Sequence, residues 1–291
     1  MSVTSPSQPV SSASTATPFG FLSELAKELS AGRVELPSFP DAAARVQQVL
    51  SDDNITTERI MRVVSSDAGL AARVLTMANS ALLHRGGESV IDLKVAIARV
   101  GHDSIRAAAL SYATAQVRQA AELAHIRSDL ECFWQESLRV AGLAHAMARE
   151  TGVLQADEAL LAGLLHNIGK VYIVARTPKD AGRVHIGDDV MRDWHPGIGQ
   201  ALIENWKLPE QIAIAVGGQL ARDRTHRGAA DLQDLLIVAV LLAAQIESNA
   251  ADDAELAQVP AAAAMGLTDS AMVRIMLESQ TEMAMLQAAL G

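Results

Sequence analysis

Apolar residues recur three and four positions apart along most of the chain, which is the spacing of an α-helix with one buried face. The pattern starts in "FLSELAKELSAG", from Phe19, and is still present in the C-terminal "MVRIMLESQTEMAMLQAAL". No segment of the sequence shows the apolar and polar alternation that is typical of a half-buried strand. The hydrophobic pattern therefore predicts an all-α protein.

Capping residues indicate where several helices begin. Asp41, Asp67 and either Thr56 or Thr57 precede apolar runs, where a side-chain oxygen accepts a hydrogen bond from a free N–H group of the first turn. Gly101 separates "LKVAIARVG" from "HDSIRAAALSYATAQVRQA", so the sequence predicts one helix on each side of it.

Further boundaries are predicted in the middle of the chain. One long helix is expected from Cys132 to Gly152, and a single helix is expected from Ala156 to a stop at Pro178. Pro196 is expected near the start of a later helix, where the missing N–H of proline matters least.

Composition supports the helical prediction and gives the chain a core. Hydrophobic residues make up 49% of the 291 residues, and aromatic residues only 3%, so the apolar mass is mostly helix-forming Ala, Leu and Met with Val and Ile. This is enough for one large domain or two small ones. Residues 1–18 are rich in Ser, Thr and Pro and lack a basic start and an apolar stretch, which predicts a disordered tail and not a secretory signal.

Charge and cysteine content limit the functions and compartments that are expected for this chain. The formal net charge of −10 argues against direct nucleic-acid binding, because phosphate neutralisation needs a basic surface. Cys132 is the single cysteine, so an intrachain disulfide is impossible and a reducing compartment is expected. The longest apolar run, "LLIVAVLLAA" from Leu235, is too short for a membrane span and predicts a buried helix.

Six segments in one order resemble a known family. They are "LPSFPDAAARVQQVL", "IMRVVSSDAGLAARVLTMANSALL", "VAIARVGHDSIRAAALSYA", "FWQESLRVAGLAHAMA", "ALLAGLLHNIGKVYI" and "HPGIGQALIENWKLP". Together, over roughly Leu25 to Gln219, they resemble the HDOD domain, a bacterial, all-helical relative of the HD metal-dependent phosphohydrolases. The resemblance implies an N-terminal helical lobe, residues 19–120, packed on an HD-like bundle, residues 121–222. Residues 223–291 are then expected to form a helical extension packed on that bundle.

The resemblance also identifies the positions of a metal site. A working HD site takes a His from one helix, a His-Asp pair from a second and an Asp from a later one, and these hold one or two divalent ions. The first position corresponds to Glu136, and the central pair is His166 and Asn167. Asn offers a neutral carbonyl oxygen and cannot bridge two metals as a carboxylate does. His195, before "PGIGQ", is retained.

The remaining ligand positions are depleted as well. The helix that would carry the last Asp has Ala243 and Ala244 at the expected place, with no acid before Glu247 in "LLIVAVLLAAQIES". "GGQ" follows "LPEQIAIAV", where active relatives often carry histidines. We therefore expect no bound metal, no cofactor and no catalytic residue.

What remains is a relict pocket of five residues: Glu136, His166, Asn167, Lys170 and His195. His166 is expected to be a helix-end histidine that is hydrogen-bonded in the core or to a neighbouring carbonyl. Gly169 is expected to let the helices approach closely, and Lys170 to pair with a nearby acid. The alternative is a metal-free pocket in which Lys170, His166 and His195 receive an anion such as a nucleotide phosphate.

Other candidate features receive ordinary interpretations. His102 and Asp103 form a His-Asp dipeptide, but it opens a helix after Gly101, where Asp103 is expected to act as a cap. The other histidines show no ligand spacing and are assigned surface or packing roles: His84, His125, His145, His185 and His226. The last predicted helix is rich in methionine, with Met272, Met276, Met283 and Met285. That helix either folds back on the core or offers an adaptable surface to a partner.

The resemblance thus predicts a non-catalytic, cytoplasmic bacterial signalling protein that acts through protein–protein contacts. Two alternatives stay open. One is a metal-dependent phosphohydrolase or phosphodiesterase with an unusual ligand set, and the other is a sensor that binds a nucleotide without turnover.

Overall fold

The computed structural model describes residues 18–31, 49, 56–79, 90–152, 154–177, 187–206, 208–248, 256 and 258–290. Within these ranges the chain is helical and contains no strand, which confirms the predicted all-α class. The first helices are α1 (Pro18–Ser30), α2 (Thr57–Val64), α3 (Ala68–Ala78), α4 (Leu93–Val100) and α5 (His102–Gln119). A 3₁₀-helix, Ala121–Ile126, leads into α6 (Arg127–Thr151), α7 (Ala156–Leu165), α8 (Ile168–Arg176) and α9 (Asp188–Asn205). The last are α10 (Glu210–Gly217), α11 (Leu232–Ser248), α12 (Pro260–Ala264) and α13 (Asp269–Leu290).

Two N-terminal helices begin at predicted caps, and the predicted break at Gly101 is present. Thr56 caps α2 by accepting a hydrogen bond from the N–H of Arg59 at 3.3 Å. Asp67 caps α3 by accepting from two N–H groups of the next turn at 2.9 and 3.0 Å. Gly101 separates α4 from α5 with a φ of 81°, a left-handed conformation that favours glycine. The predicted helix from Asp41 and the predicted tail up to residue 17 lie outside the described residues.

α6 is the central helix of the bundle and packs against α7, α11 and α13. It begins at Arg127 and not at the predicted Cys132, because the 3₁₀-helix runs directly into it. It ends as predicted at Gly152, which takes a left-handed φ of 63°. A Cβ on Gly163 of α7 would lie 2.5 Å from the Cα of Ala141, so α6 and α7 are in backbone contact. This contact fixes the two helices that carry the first and second positions of the relict pocket.

The single helix predicted from Ala156 to Pro178 is wrong. The chain forms two helices, α7 and α8, separated by His166 and Asn167. Asn167 has φ −95° and ψ 5°, outside the helical region, and this residue redirects the chain at the pocket. The stretch Ala156–Arg176 is long and apolar enough to cross a membrane, but 83% of its most apolar 18 residues are buried inside the protein, which accounts for its apolar composition.

Pro196 is also placed differently from the prediction. It lies inside α9, which begins at Asp188, and not at a helix start. Its ring removes one N–H from the helical hydrogen-bond ladder, directly after His195. The helix continues because its inner face is held by packing, with His195, Pro196, Ile198 and Gly199 all buried.

The two ends of the described chain both pack on the bundle. α1 contacts α9, and Arg176 of α8 donates to Glu28 of α1 at 2.6 Å. α13 packs along α6, where Nδ1 of His145 lies 2.8 Å from the buried carboxylate of Glu282. The contacts of α13 agree with a helix that folds back on the core. Near the start of α13, Ala271 and Ile275 are buried. The side chain of Met285 lies outside the described residues.

Candidate functional site

A cavity of about 640 Å³ opens where α6, α8 and α9 meet. Its lining contains all five residues of the predicted pocket: Glu136, His166, Asn167, Lys170 and His195. Apolar side chains form much of the remaining wall, among them Phe133, Val174, Met191, Leu220 and Val240. The structure therefore brings together, in one place, residues that are up to 59 positions apart in the sequence.

Glu136, from α6, is held by two donors from the α7–α8 segment. The ammonium group of Lys170 donates to both carboxylate oxygens, at 3.3 and 3.1 Å. The amide of Asn167 donates to Oε2 at 2.8 Å. Lys170 also lies over the ring of Phe133, 5.6 Å from its centroid, in cation–π contact. The pairing of Lys170 with a nearby acid is thus present in the structure, and its partner is Glu136.

His166 is fully buried at the end of α7 and is oriented by the backbone. Its Nδ1 lies 2.7 Å from the carbonyl oxygen of Gly163, one turn earlier. A carbonyl oxygen can only accept, so Nδ1 carries the proton and donates. The opposite nitrogen, Nε2, lies 3.8 Å from Oε1 of Glu136, which is beyond hydrogen-bond distance. This arrangement matches the predicted helix-end histidine that bonds a neighbouring carbonyl.

Gln219 is a pocket residue that the sequence analysis missed. Its amide donates to the carbonyl oxygens of His166 and Val216, both at 2.9 Å, and so ties the end of α10 to the α7–α8 junction. Gln219 is buried and lines the cavity. "GGQ" was interpreted only as a place without histidines, and no local pattern in the sequence indicates the 53-residue contact with His166.

Burial and neighbouring charges shift two pKa values in the cavity. Burial lowers the pKa of His195 to about 3, and the nearby Lys170 and His166 add to that shift. Burial by itself would raise the pKa of Glu136, but His166 and Lys170 outweigh it and hold that pKa well below its usual range. At neutral pH, Glu136 is therefore ionised and His195 is neutral.

Gly169 brings α8 and α9 into backbone contact beside His195. A Cβ at this position would overlap the carbonyl oxygen of His195 and lie 2.9 Å from the backbone nitrogen of Gly199. The predicted role of Gly169 in close helix approach is therefore present in the structure. The contact fixes Lys170, the next residue, against the helix that carries His195.

Four buried polar atoms of the cavity have no hydrogen-bond partner in the described part of the chain. They are Nε2 of His166, Oδ1 of Asn167, Nδ1 of His195 and Oε1 of Gln219. Buried polar atoms are nearly always paired, and each unpaired one is destabilising by roughly 1–3 kcal/mol. A cluster of four at one cavity is therefore a feature that a purely structural role does not explain.

The divalent ion that the family resemblance implies does not fit these residues. Glu136 is already paired with the ammonium group of Lys170, and Asn167 contributes no charge. Among the described residues, the group of His, Cys, Asp or Glu side chains whose ligand atoms lie within 4.8 Å of one another is elsewhere, at His226, Asp231 and Asp234. No step of a reaction is therefore assigned to a metal here, and the absence of a metal stays a prediction.

α11 presents a different residue to the cavity from the one expected. The lining residue is Val240, about one turn before Ala243 and Ala244. The expected position of the last acid, at Ala243 and Ala244, stays a prediction. Val240 is apolar, so this wall of the cavity carries no carboxylate either.

The group at His226 surrounds the start of α11. Arg224 donates to Asp231 at 2.6 Å and to Asp234 at 2.5 Å. Nε2 of His226 lies 2.6 Å from Asp234, which is buried. Hydrogen bonding to Asp234 raises the pKa of His226. The packing role that was assigned to His226 agrees with these contacts, but the sequence analysis did not foresee the cluster.

The His-Asp dipeptide lies away from the cavity. His102 is exposed at the start of α5 and does not contribute to the lining. The side chain of Asp103, which was predicted to cap this helix, lies outside the described residues.

Comparison with known proteins places this architecture in a family. The sequence profile of the HDOD domain matches residues 36–219. No curated protein matches the sequence.

Solved structures share the fold at low sequence identity. A candidate metal-dependent phosphohydrolase from Shewanella amazonensis SB2B is 21% identical, with a TM-score of 0.70 over 94% of this chain and 99% of that one. An HDOD domain protein with unknown function from Geobacter sulfurreducens is 22% identical, with a TM-score of 0.62 over 92% and 96% of the two chains. A candidate signal transduction protein from Marinobacter aquaeolei VT8 is 21% identical, with a TM-score of 0.55 over 92% of this chain and 66% of that one.

Proposed function

The chain belongs to the HDOD domain family, and from that premise we propose that it is a bacterial signalling protein that regulates partners by contact and does not hydrolyse phosphodiesters. The observation that carries the proposal is the ion pair of Lys170 with Glu136. A side-chain ammonium group takes up the carboxylate at the position where the resemblance implies a metal ligand.

Hydrolysis of this class depends on the metal ions. The ions lower the pKa of the attacking water and stabilise the charge that develops on the phosphate. In this cavity the central carboxylate is neutralised by Lys170, Asn167 stands in place of an acid, and α11 contributes Val240. The residues that remain position one another, but they do not supply an activated water.

The outer face of α13 supports action through protein contact. Val273 and Leu277 lie one helical turn apart, and they are 60% and 64% exposed. The helix behind them is fixed to α6, because Arg274 donates to Glu150 at 2.5 Å and Glu282 is buried next to His145. An apolar pair on an anchored helix is a surface that a partner protein can cover. The similarity to a candidate signal transduction protein points to the same class of function.

Phosphodiester hydrolysis tests the non-catalytic half of the proposal. We expect wild-type protein with Mn²⁺ to hydrolyse bis(p-nitrophenyl) phosphate no faster than buffer with Mn²⁺. The matched variant Glu136→His with Asn167→Asp restores two ligands of the HD pattern and shows whether the assay detects a repaired site. Metal-dependent turnover by the wild type that disappears in His166→Ala would contradict the proposal.

Cross-linking in a lysate of the source bacterium tests the contact half. We expect wild-type protein to retain a specific partner, and the Val273→Lys, Leu277→Lys double variant to lose it. The control variant is Ile91→Lys with Val95→Lys. It changes another exposed apolar pair, 90% and 50% exposed, in the N-terminal part of the chain. If both double variants retain the same partner, or if the wild type retains no partner, Val273 and Leu277 do not form the contact surface.

A further inference from the structure

Three of the four unpaired atoms of the cavity share one chemical property, which is that they accept hydrogen bonds. The fourth, Nδ1 of His195, accepts or donates according to the tautomer of the ring. Asn167 uses its amide N–H on Glu136, and Gln219 uses its amide N–H groups on two carbonyls, so the free atoms are the oxygens. His166 uses its Nδ1 proton on Gly163, so in the imidazole form of the ring Nε2 is the acceptor. Three elements of the fold therefore present acceptors, and a bound molecule has to bring the donors.

The charge of the cavity points to the same class of ligand. Asp129, Glu136 and Asp188 contribute negative charge to its lining, and Lys170 and Arg192 contribute positive charge. Arg192 is engaged at the rim, where it donates to Asp189 at 2.7 Å. Lys170 is engaged by Glu136. A phosphate group, which carries only acceptors and negative charge, would meet acceptors and a carboxylate here.

From these two observations we propose that the cavity binds a small organic cation with several N–H donors, such as an amidinium, guanidinium or primary ammonium group on an apolar body. The donors reach Glu136, Nε2 of His166 and the free oxygens of Asn167 and Gln219. The apolar body lies against Phe133, Met191 and Val240, which line the same cavity. The inference rests on the proposed function, since it requires a site without a divalent ion.

Lys170 acts as a built-in competitor for this ligand. Its ammonium group already has the charge, the donors and the aromatic contact that the ligand would have, because it lies on Glu136 and over Phe133. The unpaired acceptors each expose almost no surface, so a ligand reaches them only after a side chain of the lining has moved. A cation that enters must displace the ammonium group from Glu136, and this release gives the cavity two states that a signalling protein can report.

Because Lys170 is expected to compete with the ligand, its removal should tighten ligand binding, and the direction of that change tests the proposal. We would titrate benzamidine, and separately inorganic phosphate, into the full chain by isothermal calorimetry. Lys170→Met removes the competitor and is expected to tighten benzamidine binding at least tenfold. Glu136→Gln keeps the shape of the side chain and is expected to abolish benzamidine binding. Lys94→Met removes a lysine from an exposed pair with Glu58 and is expected to bind benzamidine as the wild type does.

Each outcome supports or overturns the proposal. Weaker or unchanged benzamidine binding in Lys170→Met, or no benzamidine binding to any variant, overturns it. Phosphate binding that is lost in Lys170→Met overturns it in favour of an anion site. If Lys170→Met does not fold, Glu136→Gln decides alone, because an anion site would gain affinity for phosphate while a cation site loses benzamidine. Metal-dependent turnover by the wild type would refute the proposed function separately, since the binding titrations contain no metal.

Discussion

Two clusters in this protein combine a histidine, carboxylates and a basic side chain, and they differ in how completely their polar atoms are paired. At the start of α11, both oxygens of Asp231 and both of Asp234 accept hydrogen bonds, from Arg224, His226 and backbone N–H groups. In the cavity, by contrast, four buried polar atoms have no partner among the described residues. The α11 cluster therefore has the character of a structural cap, and the cavity that of a site that accepts something from outside.

The largest difference between the clusters is expected in stability. Asp234 is buried and accepts hydrogen bonds from Arg224, His226 and the N–H of Asp231, so Asp234→Ala removes one buried acceptor from three donors. We expect a loss of about 3 kcal/mol in the free energy of unfolding. Glu136→Ala should lose only about 1–2 kcal/mol, because the side chain of Glu136 is 27% exposed whereas that of Asp234 is 1% exposed. Urea denaturation followed by circular dichroism measures the free energy of unfolding of both variants. Equal losses would contradict the distinction between a structural cap and a binding site.

The close contact between α8 and α9 beside the cavity is expected to tolerate substitution less well than Glu136 does. Gly169→Ala places a methyl group onto the carbonyl oxygen of His195 and should reduce the free energy of unfolding by about 3 kcal/mol. Gly197→Ala on α9 is the matched control, since a Cβ there meets nothing within 4 Å and alanine favours the helix. Thermal unfolding of the two variants measures the difference. A Gly169→Ala protein as stable as wild type would show that α8 and α9 are not in backbone contact.

One histidine from each cluster, His195 and His226, should give opposite pH dependence. The pKa of His195 is about 3 in the folded protein and 6.5 when unfolded, so the unfolded chain binds the extra proton between those values. The free energy of unfolding then falls as the pH falls, by about 2 kcal/mol between pH 6.5 and pH 5. His195→Gln should flatten this acid slope. The measurement is urea denaturation at half-unit pH steps, and an unchanged slope in the variant would assign the acid loss to other groups.

His226 should show the smallest effect, with the other sign. Asp234 raises its folded pKa above 6.5, so its contribution is fully present below pH 6.5 and is lost as the pH rises through the raised value. Wild-type protein should lose thermal stability between neutral and mildly alkaline pH, and His226→Gln should lose less over the same range. If the variant keeps the whole alkaline loss, the contact between His226 and Asp234 does not contribute to stability.

The difference between the clusters also explains what could be predicted from the sequence. The cavity residues were identified because they lie in three segments that carry the family resemblance, "FWQESLRVAGLAHAMA", "ALLAGLLHNIGKVYI" and "HPGIGQALIENWKLP". Gly169 and Lys170 have the neighbours that their residue types suggest. The caps at Thr56 and Asp67 were equally local, because each depends on the first turn of its own helix.

The features that were missed depend on contacts across the fold. The break at His166 and Asn167 lies inside an apolar run that has the period of one continuous helix. Gln219 becomes a pocket residue only because α10 ends beside the carbonyl of His166, 53 residues away in sequence. Whether Val240 or Ala243 faces the cavity depends on the rotation of α11 against α6, which a periodic apolar pattern does not determine.

The central claim is that Lys170, and not a divalent ion, neutralises Glu136. Elemental analysis of protein purified in the presence of Mn²⁺ and then desalted tests it most directly. The structure predicts no retained metal in the wild type, with the same result in His166→Ala. One or more metal ions per wild-type chain, absent from His166→Ala, would contradict the claim.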